Sequence, residues 1–321
     1  MRLSELFRSL SSARRDVPIA VPVAPGSPHR LARTPDGRPM LLFRTPADAS
    51  RSSLPGVRLA HIHAAPAVVA RLSTEGRSEE GCFATVELTR SDTELVPFFL
   101  DALQPIADEL PTETTSGELF PLLSRVQDLF RSLAEEPRTT ALGLWGELFT
   151  LDQAGALSAL LNAWHNDPKD PVDFISSDLW LEVKTSTAER RRHRATARQL
   201  SPPLGSGGYL ISILTIPSPT GTSVRDLMWR LDAQIDEPLL RAKLNQVVVK
   251  QLGRDLASAM ETRFDEAAAR ASVRLYDMSA LPRLPGPIPT EISEIQYVLD
   301  ISGLEPSSAR LSSLSLGSDP S

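Results

Sequence analysis

Apolar and polar residues alternate along several short runs in the first ninety residues, and this is the period of half-buried strands. From Glu94 the apolar positions instead recur every three to four residues, as on one face of a helix. Thr139 or Thr140 is expected to cap one of these helices, because a hydroxyl accepts from the first helical NH groups. The predicted strands are "MLLFR", "VRLAHIHA" and "CFATVELT", and the predicted helices are residues 1–16, "ELVPFFLDALQPIADEL", "GELFPLLSRVQDLFRSLAEE" and "ALGLWGELFTLDQAGALSALLNAW".

The centre of the chain carries a second strand-rich pattern. The stretch "DPVDFISSDLWLEVKTST" predicts a hairpin, residues 188–200 predict a helix, and "GGYLISILTI" predicts another strand. Helices resume at 223–235 and 238–252, and a strand, a Pro-rich loop and a strand follow. The order helix, strand, strand, helix, strand indicates a mixed α/β core rather than repeated βαβ units.

These patterns divide the chain into four predicted regions. We expect a β-rich N-terminal region over residues 1–90 and a central core with leading helices over 91–220. A helical and β C-terminal region follows over 221–303, and the Ser-rich end, 304–321, is expected to be disordered.

Composition limits the class of protein. The chain has 321 residues, 41% of them hydrophobic and 23% charged, which is typical of a soluble globular protein. The net charge of −6 argues against a protein that coats nucleic acid through its overall charge, although a local basic patch would suffice. Cys82 is the only cysteine, so neither an intramolecular disulfide nor a cysteine-rich zinc site is expected. With no signal-peptide pattern and no membrane-length apolar run, we expect a cytoplasmic protein that does not enter a membrane.

Charged residues interrupt the central hairpin. If Ser177 and Asp178 form a two-residue turn, residues equidistant from that turn face each other, and Asp173 lies opposite Glu182. Lys184 shares a face with Glu182, because side chains alternate along a strand. Facing carboxylates repel each other unless positive charge lies between them.

A divalent cation would supply that charge. Mg²⁺ binds oxygen ligands, usually one or two carboxylates together with water and substrate phosphate. It would activate water and stabilise charge on a scissile phosphate, and Lys184 would orient the water or stabilise the phosphorane. The alternative is a surface hairpin with a cross-strand Glu–Lys arrangement, which would be worth only a few tenths of a kcal/mol.

The residues around this hairpin resemble a known superfamily. "VDF" followed by "LEVKTST" resembles the PD-(D/E)xK nucleases, although Val172 separates Pro171 from Asp173 and the literal PD dipeptide is absent. The resemblance covers about residues 20–303 and is closer to the bacterial PD-(D/E)XK motif proteins, which occur in restriction and anti-phage gene clusters. The blocks that carry it are "GLWGELFTL", a Trp before "DF", "EVKTST", "RQL" and "LPRLPGPIPTEISEIQYVLDI".

The resemblance implies a fold and an activity. The implied fold is α/β (α+β), with a restriction-endonuclease-like core of helix, strand, strand, strand, helix and strand in a mixed sheet. Asp173 and Glu182 resemble the metal ligands and Lys184 the catalytic lysine. Glu147 resembles the helix-borne acid, either a further metal ligand or a water-mediated one, whereas the sequence alone also allows an exposed helix position. The implied activity is a Mg²⁺-dependent DNA endonuclease, with Mn²⁺ as a substitute ion, in a bacterial defence system.

A basic segment follows the hairpin directly. If it is helical, Arg190, Arg194 and Arg198 recur every four residues and share one face. Guanidinium groups bind phosphate in a bidentate manner, so this stripe would hold a nucleic-acid backbone without reading its sequence. A solvated surface helix is the alternative. The predicted nucleic-acid contacts are Arg190, Arg191, Arg192, Arg194, Arg198 and Gln199, with Gln199 matched to the family's "QL" and His193 as a further phosphate contact.

Other residues give weaker signals. His61 and His63 share a strand face but lack a third metal ligand, so we interpret them as structural, and His165 receives no role. Trp145, Trp164, Trp180 and Trp229 are predicted to be core residues rather than base-stacking platforms. No Walker A loop, dinucleotide fingerprint or Ser-His-Asp arrangement is visible, so no ATP hydrolysis is expected.

Several alternatives for function stay open. The first is a catalytically silent DNA-binding or assembly subunit, and the second is a nuclease that acts on RNA. Double-stranded DNA is the expected partner, and one active site per chain makes a homodimer plausible for double-strand cleavage. The N-terminal and C-terminal regions would read DNA, bind a partner ATPase or another defence-system subunit, or form the dimer.

Overall fold

The computed structural model contains two compact units, Met1–Glu136 and Pro137–Ser321. No helix among the residues that it describes is both long and apolar enough to cross a membrane. Residues described are 2–11, 17–45, 57–58, 62–74, 77–89, 95–109, 131–133, 135–165, 170–203, 205–283, 292 and 295–314.

The first unit is built around antiparallel strands. Its described elements are α1 (Leu3–Ser9), β1 (Ile19–Pro22), β2 (Arg30–Arg33), β3 (Pro39–Arg44), β4 (Val57–Arg58), β5 (Ile62–Thr74), β6 (Arg77–Leu88) and α2 (Leu95–Glu109). The strands pair in the order β1-β2-β3-β6-β5-β4, and an additional parallel pairing of β1 with β5 closes the sheet on itself. Leu42, Leu72 and Phe83 pack in its core.

These elements confirm the β-rich pattern of the N-terminal region. The three runs predicted as strands correspond to β3, to β4 with β5, and to β6. The helix predicted over residues 1–16 is observed as Leu3–Ser9. Most of the helix predicted over 117–136 lies outside the described residues.

The second unit contains a mixed four-stranded sheet among its described strands. The described strands of the unit are β7 (Phe174–Ile175), β8 (Leu179–Ser186), β9 (Arg192–Thr196), β10 (Gly207–Leu214), β11 (Pro217–Ser223), β12 (Arg263–Phe264), β13 (Arg274–Asp277) and β14 (Gln296–Asp300). The strand order in this sheet is β13-β10-β8-β7, in which β8 and β10 are parallel and the two outer pairings are antiparallel. The helices are α3 (Ala141–Gln153), α4 (Leu157–Ala163), α5 (Val224–Gln234), α6 (Pro238–Leu252), α7 (Leu256–Met260) and α8 (Glu266–Ser272).

Helix α3 packs directly on the central strand β8. The Thr140 hydroxyl caps it by accepting from the Gly143 NH at 3.1 Å, as predicted. Gly146 faces Thr185 of β8 so closely that a Cβ at Gly146 would lie 1.7 Å from the Thr185 Oγ1. The absence of a side chain at residue 146 therefore permits the close approach of helix and sheet.

The long helix predicted over residues 141–164 is wrong in one respect. The chain leaves the helix at Ala154 and starts again at Leu157, so α3 and α4 are separate. At Gly155 a Cβ would lie 2.4 Å from the Ser312 carbonyl oxygen. A segment more than 150 residues away in sequence thus occupies the space beside the break.

The helix predicted over residues 188–200 is also wrong, because residues 192–196 form strand β9. This strand pairs antiparallel with β14, and among the described strands the two form a separate ribbon. His193 and Ala195 are buried, whereas Arg192 and Arg194 are exposed. This alternation has the period of a strand, and the four-residue spacing of Arg190, Arg194 and Arg198 is incidental.

The C-terminal part of the chain belongs to the same compact unit as the central core. Strand β10 lies before the predicted boundary near residue 220 and β13 lies after it, yet the two strands pair in one sheet. Residues 305–314 were expected to be disordered, yet they contain a short 3₁₀ turn at Leu311–Ser313 with Leu311 buried. The Ser307 NH also donates to the Leu275 carbonyl at 2.7 Å. Residues 315–321 lie outside the described residues.

Candidate active site

The central hairpin has the predicted register. Phe174 faces Leu181 and Ile175 faces Trp180, so the turn lies at Ser177 and Asp178. Asp173 precedes the short strand β7, and its Oδ2 accepts a hydrogen bond from the Val183 NH at 2.7 Å. The carboxylate of Asp173 is therefore held beside β8 next to Glu182.

Glu182 is a buried carboxylate with one satisfied oxygen. Its residue exposure is 1%. The Oε1 atom accepts from the Gln199 Nε2 at 2.6 Å and lies 2.5 Å from the Lys184 Nζ. The Oε2 atom is buried and has no hydrogen-bond partner among the described residues. Burial, and then the negative charge of Asp173, raise the pKa of Glu182 to about 8.

The pKa values of the neighbouring Asp173 and Lys184 are shifted as well. Burial raises the pKa of Asp173, and the Val183 NH and the Lys184 ammonium oppose this shift only in part. Burial alone would lower the pKa of Lys184, but the attraction of Glu182, Asp173 and Glu147 raises it above its ordinary value. Lys184 is therefore held as an ammonium beside the carboxylates.

Glu147 is not an exposed helix residue. Its exposure is 5%, and its Oε2 accepts from the Trp164 indole NH at 2.7 Å and from the Gln251 Nε2 at 2.9 Å. Burial, followed by the charge of Asp173, raises its pKa well above the usual range. Trp164 and Gln251 thus fix the position of this acid from α3.

These side chains line one cavity of about 500 Å³. It is bordered by Thr139 and Gly143 at the start of α3 and by Gln251 at the end of α6. His165 and Asp170 also line it, and the His165 Nδ1 lies 3.2 Å from the Asp170 Oδ2. The cavity contains all four of the predicted catalytic residues, Glu147, Asp173, Glu182 and Lys184.

The donor set fits a cation bound by two carboxylates. The unpartnered Oε2 of Glu182 is a buried acceptor, and Asp173 supplies a second carboxylate in the same cavity. Within the described residues, no group of three His, Cys, Asp or Glu side chains is arranged to hold a metal ion. Of the two roles considered for Glu147, this favours contact through water over direct ligation.

The structure separates the predicted nucleic-acid contacts into two groups. Arg190, Arg192, Arg194 and Arg198 are exposed. Arg191 points inward, where its Nη1 donates to the backbone and hydroxyl oxygens of Ser212, each at 2.8 Å, and its Nη2 donates to the Ser272 carbonyl. Gln199 also faces the protein: the Thr196 NH donates to its Oε1 at 2.8 Å, and its amide holds Glu182.

Several other predictions are settled by burial. The phosphate contact predicted for His193 is wrong, because this residue is buried and its Nε2 lies 2.7 Å from the Ser212 Oγ. The interpretation of His61 stays a prediction, because this residue lies outside the described residues. Trp145 and Trp164 are core residues, as predicted, but Trp229 is 54% exposed, so its core assignment is wrong.

Sequence reasoning missed two residues of this site. Gln251 donates to Glu147 across 104 positions of the chain, and no local pattern marks it. Trp164 was assigned to the core only, although its indole NH donates to the Glu147 carboxylate. A Trp that lies shortly before the first carboxylate of the hairpin was the available signal for this contact.

An Asp and a Glu-x-Lys segment on one hairpin, with a helix-borne Glu in the same cavity, correspond to the residue pattern of the PD-(D/E)XK superfamily. A family model described as "Putative PD-(D/E)XK family member, (DUF4420)" matches residues 3–302. The chain belongs to this family, and the predicted superfamily relationship is confirmed. No curated protein and no solved structure shows significant similarity to the chain.

Proposed function

We propose that the chain is a Mg²⁺-dependent DNA endonuclease, with Mn²⁺ as a substitute ion, centred on Asp173, Glu182 and Lys184. The observation that carries this proposal is the buried, unpartnered Oε2 of Glu182 beside a second carboxylate in an open cavity. A buried carboxylate oxygen without a donor lowers stability. A cation at this atom would remove that penalty, so the arrangement suits a site that is completed by a ligand. Membership of the PD-(D/E)XK family supports nuclease chemistry.

Each side chain has a proposed role. Bound by Asp173 and Glu182, Mg²⁺ would supply Lewis acidity and lower the pKa of a coordinated water. Lys184 is held as an ammonium by its raised pKa and would donate to a phosphate oxygen, where it stabilises the developing negative charge. Gln199 keeps the Glu182 carboxylate in position, and Glu147, which lines the same cavity, would order water there.

The experiment is plasmid cleavage with Mg²⁺, Mn²⁺ or EDTA. We expect metal-dependent nicking or linearisation by the wild type and its loss in Asp173→Asn, Glu182→Gln and Lys184→Ala, because each substitution removes one charge of the site. Asp236→Asn changes an exposed aspartate elsewhere in the second unit and serves as the matched control. Thermal melting of every variant shows that the chain is folded.

Full cleavage by any of the three site variants would refute this assignment. Matched DNA and RNA substrates in the same assay test the choice of nucleic acid, and preferential cleavage of RNA would replace DNA as the substrate. Because one site per chain cuts one strand, linearisation without accumulation of nicked plasmid would indicate a dimer. The proposed setting is a bacterial restriction or anti-phage system, in which an ATPase or another subunit would be the partner.

A second candidate is a DNA-binding or assembly subunit that keeps the fold without turnover. It rests on the net charge of −6, which gives no overall attraction of DNA to the cavity. Duplex binding in EDTA, combined with no cleavage under any divalent ion or with any partner from such a system, would support this candidate against the nuclease.

A further inference from the structure

The β9–β14 ribbon has two chemically different faces. His193, Ala195 and Leu299 are buried, and Ala195 and Leu299 pack in a cluster that also contains Leu210 of β10. On the other side of the ribbon, Arg194 is paired in register with Val298, which is 52% exposed. The strands are therefore anchored to the second unit by one face and present the other to solvent.

The outward face is positively charged. Arg192 and Arg194 lie on this face, and Arg190 and Arg198 are exposed shortly before and after β9. The single acidic residue within the two strands is Asp300, whose Oδ2 lies 3.9 Å from the Arg192 Nε. Arg194 faces an apolar residue instead of a carboxylate. Such a surface attracts a polyanion, in contrast to the protein as a whole, which has a net charge of −6.

We propose that this outward face docks into the groove of duplex DNA. Two paired strands are about 5 Å apart, and the major groove of B-DNA, about 12 Å wide, admits a two-stranded ribbon. The exposed arginines would contact phosphates along the groove walls, and Gln296, exposed at one end of β14, would face the base edges. An A-form RNA duplex has a deep, narrow major groove that does not admit such a ribbon, so the shape favours DNA.

The ribbon is connected to the proposed active site by two hydrogen bonds. The NH of Thr196, the last residue of β9, donates to the Gln199 Oε1 at 2.8 Å. The Gln199 Nε2 in turn donates to the Glu182 Oε1 at 2.6 Å. DNA on the ribbon would therefore be held by the segment that positions the proposed catalytic carboxylate. This inference rests on the proposed function and specifies how that substrate is bound.

The test is the binding of a fluorescein-labelled 20-base-pair duplex in EDTA, followed by fluorescence anisotropy at several salt concentrations. The ribbon variant is Arg192→Gln with Arg194→Gln, and its charge-matched control is Arg274→Gln with Arg310→Gln, two exposed arginines outside the ribbon. Each lost phosphate contact lowers the salt slope by about 0.9, so the ribbon variant should lose about 2 units of slope. We expect its Kd to rise roughly 10- to 100-fold at low salt, with the control unchanged.

A single-site pair tests the same face by adding charge. Val298→Glu places a carboxylate on the outward face and should weaken duplex binding, whereas Val298→Thr keeps the branched shape and should bind like the wild type. Melting curves of all variants should match the wild type, since the substituted side chains are exposed.

The outcomes separate this inference from the nuclease assignment. The ribbon proposal would be overturned if the ribbon variants bind with unchanged affinity or if the control loses as much affinity as they do. It would also be overturned if the protein prefers an RNA duplex or if the wild type binds no duplex. If the ribbon variant cleaves plasmid with an unchanged KM, the ribbon proposal is also overturned, but the nuclease proposal stands. If duplex binding depends on the ribbon but the protein does not cleave DNA, the ribbon proposal is supported and the nuclease proposal is refuted.

Discussion

Acid should destabilise the second unit, because the buried face of the β9–β14 ribbon contains an ionisable residue, His193. His193 is 4% exposed, and its pKa is lowered from 6.5 to about 4. Burial is the largest cause, followed by the positive charges of Lys184 and Arg191, while Asp300 acts in the opposite direction. His193 is therefore neutral in the folded protein at pH 7 and bonded to the Ser212 hydroxyl.

The sign and size of the effect follow from linkage. Between pH 4 and 6.5 the unfolded chain binds a proton at His193 that the folded chain does not, so the free energy of unfolding rises with pH across this window. The shift from 6.5 to about 4 corresponds to about 3 kcal/mol at most, and most of this would be lost by pH 4.5. Residual structure in the unfolded state would reduce the value.

The assay is urea unfolding in EDTA at a series of pH values from 4.5 to 7.5, with wild type compared with His193→Gln. Glutamine can still bond to Ser212 but cannot take up the proton. All four tryptophans lie in the second unit, so their fluorescence reports the unfolding of that unit. Relative to the variant, the wild type should lose roughly 2–3 kcal/mol between pH 7.5 and 4.5.

Parallel curves for wild type and His193→Gln across the whole pH range would refute the reasoning. They would mean that the ribbon accommodates an imidazolium where the structure buries a neutral ring.

Two further predictions concern the helix–sheet contact and the metal. Gly146→Ala should destabilise the second unit by roughly 1–3 kcal/mol in urea unfolding, because the new methyl group meets Thr185, and adding Thr185→Ala should restore part of the loss. No loss in the single variant would contradict the packing of α3 on β8. Mg²⁺ at about 100 times its Kd should stabilise the wild type by about 3 kcal/mol in thermal melting, and Asp173→Asn should abolish this shift. An equal shift in both proteins would place the ion elsewhere.

The hairpin was predictable because its information is local. The alternation of "LWLEVKT" and a short polar turn fix which residues face each other, and the observed register places Asp173 beside Glu182 as expected. Once the register is set, Lys184 must share a face with Glu182. The positions of Asp173, Glu182 and Lys184 relative to one another could therefore be predicted from the sequence of the hairpin alone.

The elements that were mispredicted depend on distant segments. Residues 192–196 carry a charge spacing that favours a helix, but pairing with residues 296–300 and burial of His193 make them a strand. Gln251 supports Glu147 from a helix whose own pattern indicates only packing. Neither contact has a local signature, so both require the tertiary structure.

The pairing of β9 with β14 has a consequence for the order in which the molecule assembles. Thr196 pairs with Gln296, a residue 100 positions later, so a long loop must close before the ribbon exists. During synthesis the strand that carries Glu182 leaves the ribosome well before β14 does, and the partner that completes β9 is then missing. The proposed DNA-binding face and the support of Glu182 through Gln199 thus arise together, and only after β14 has been translated.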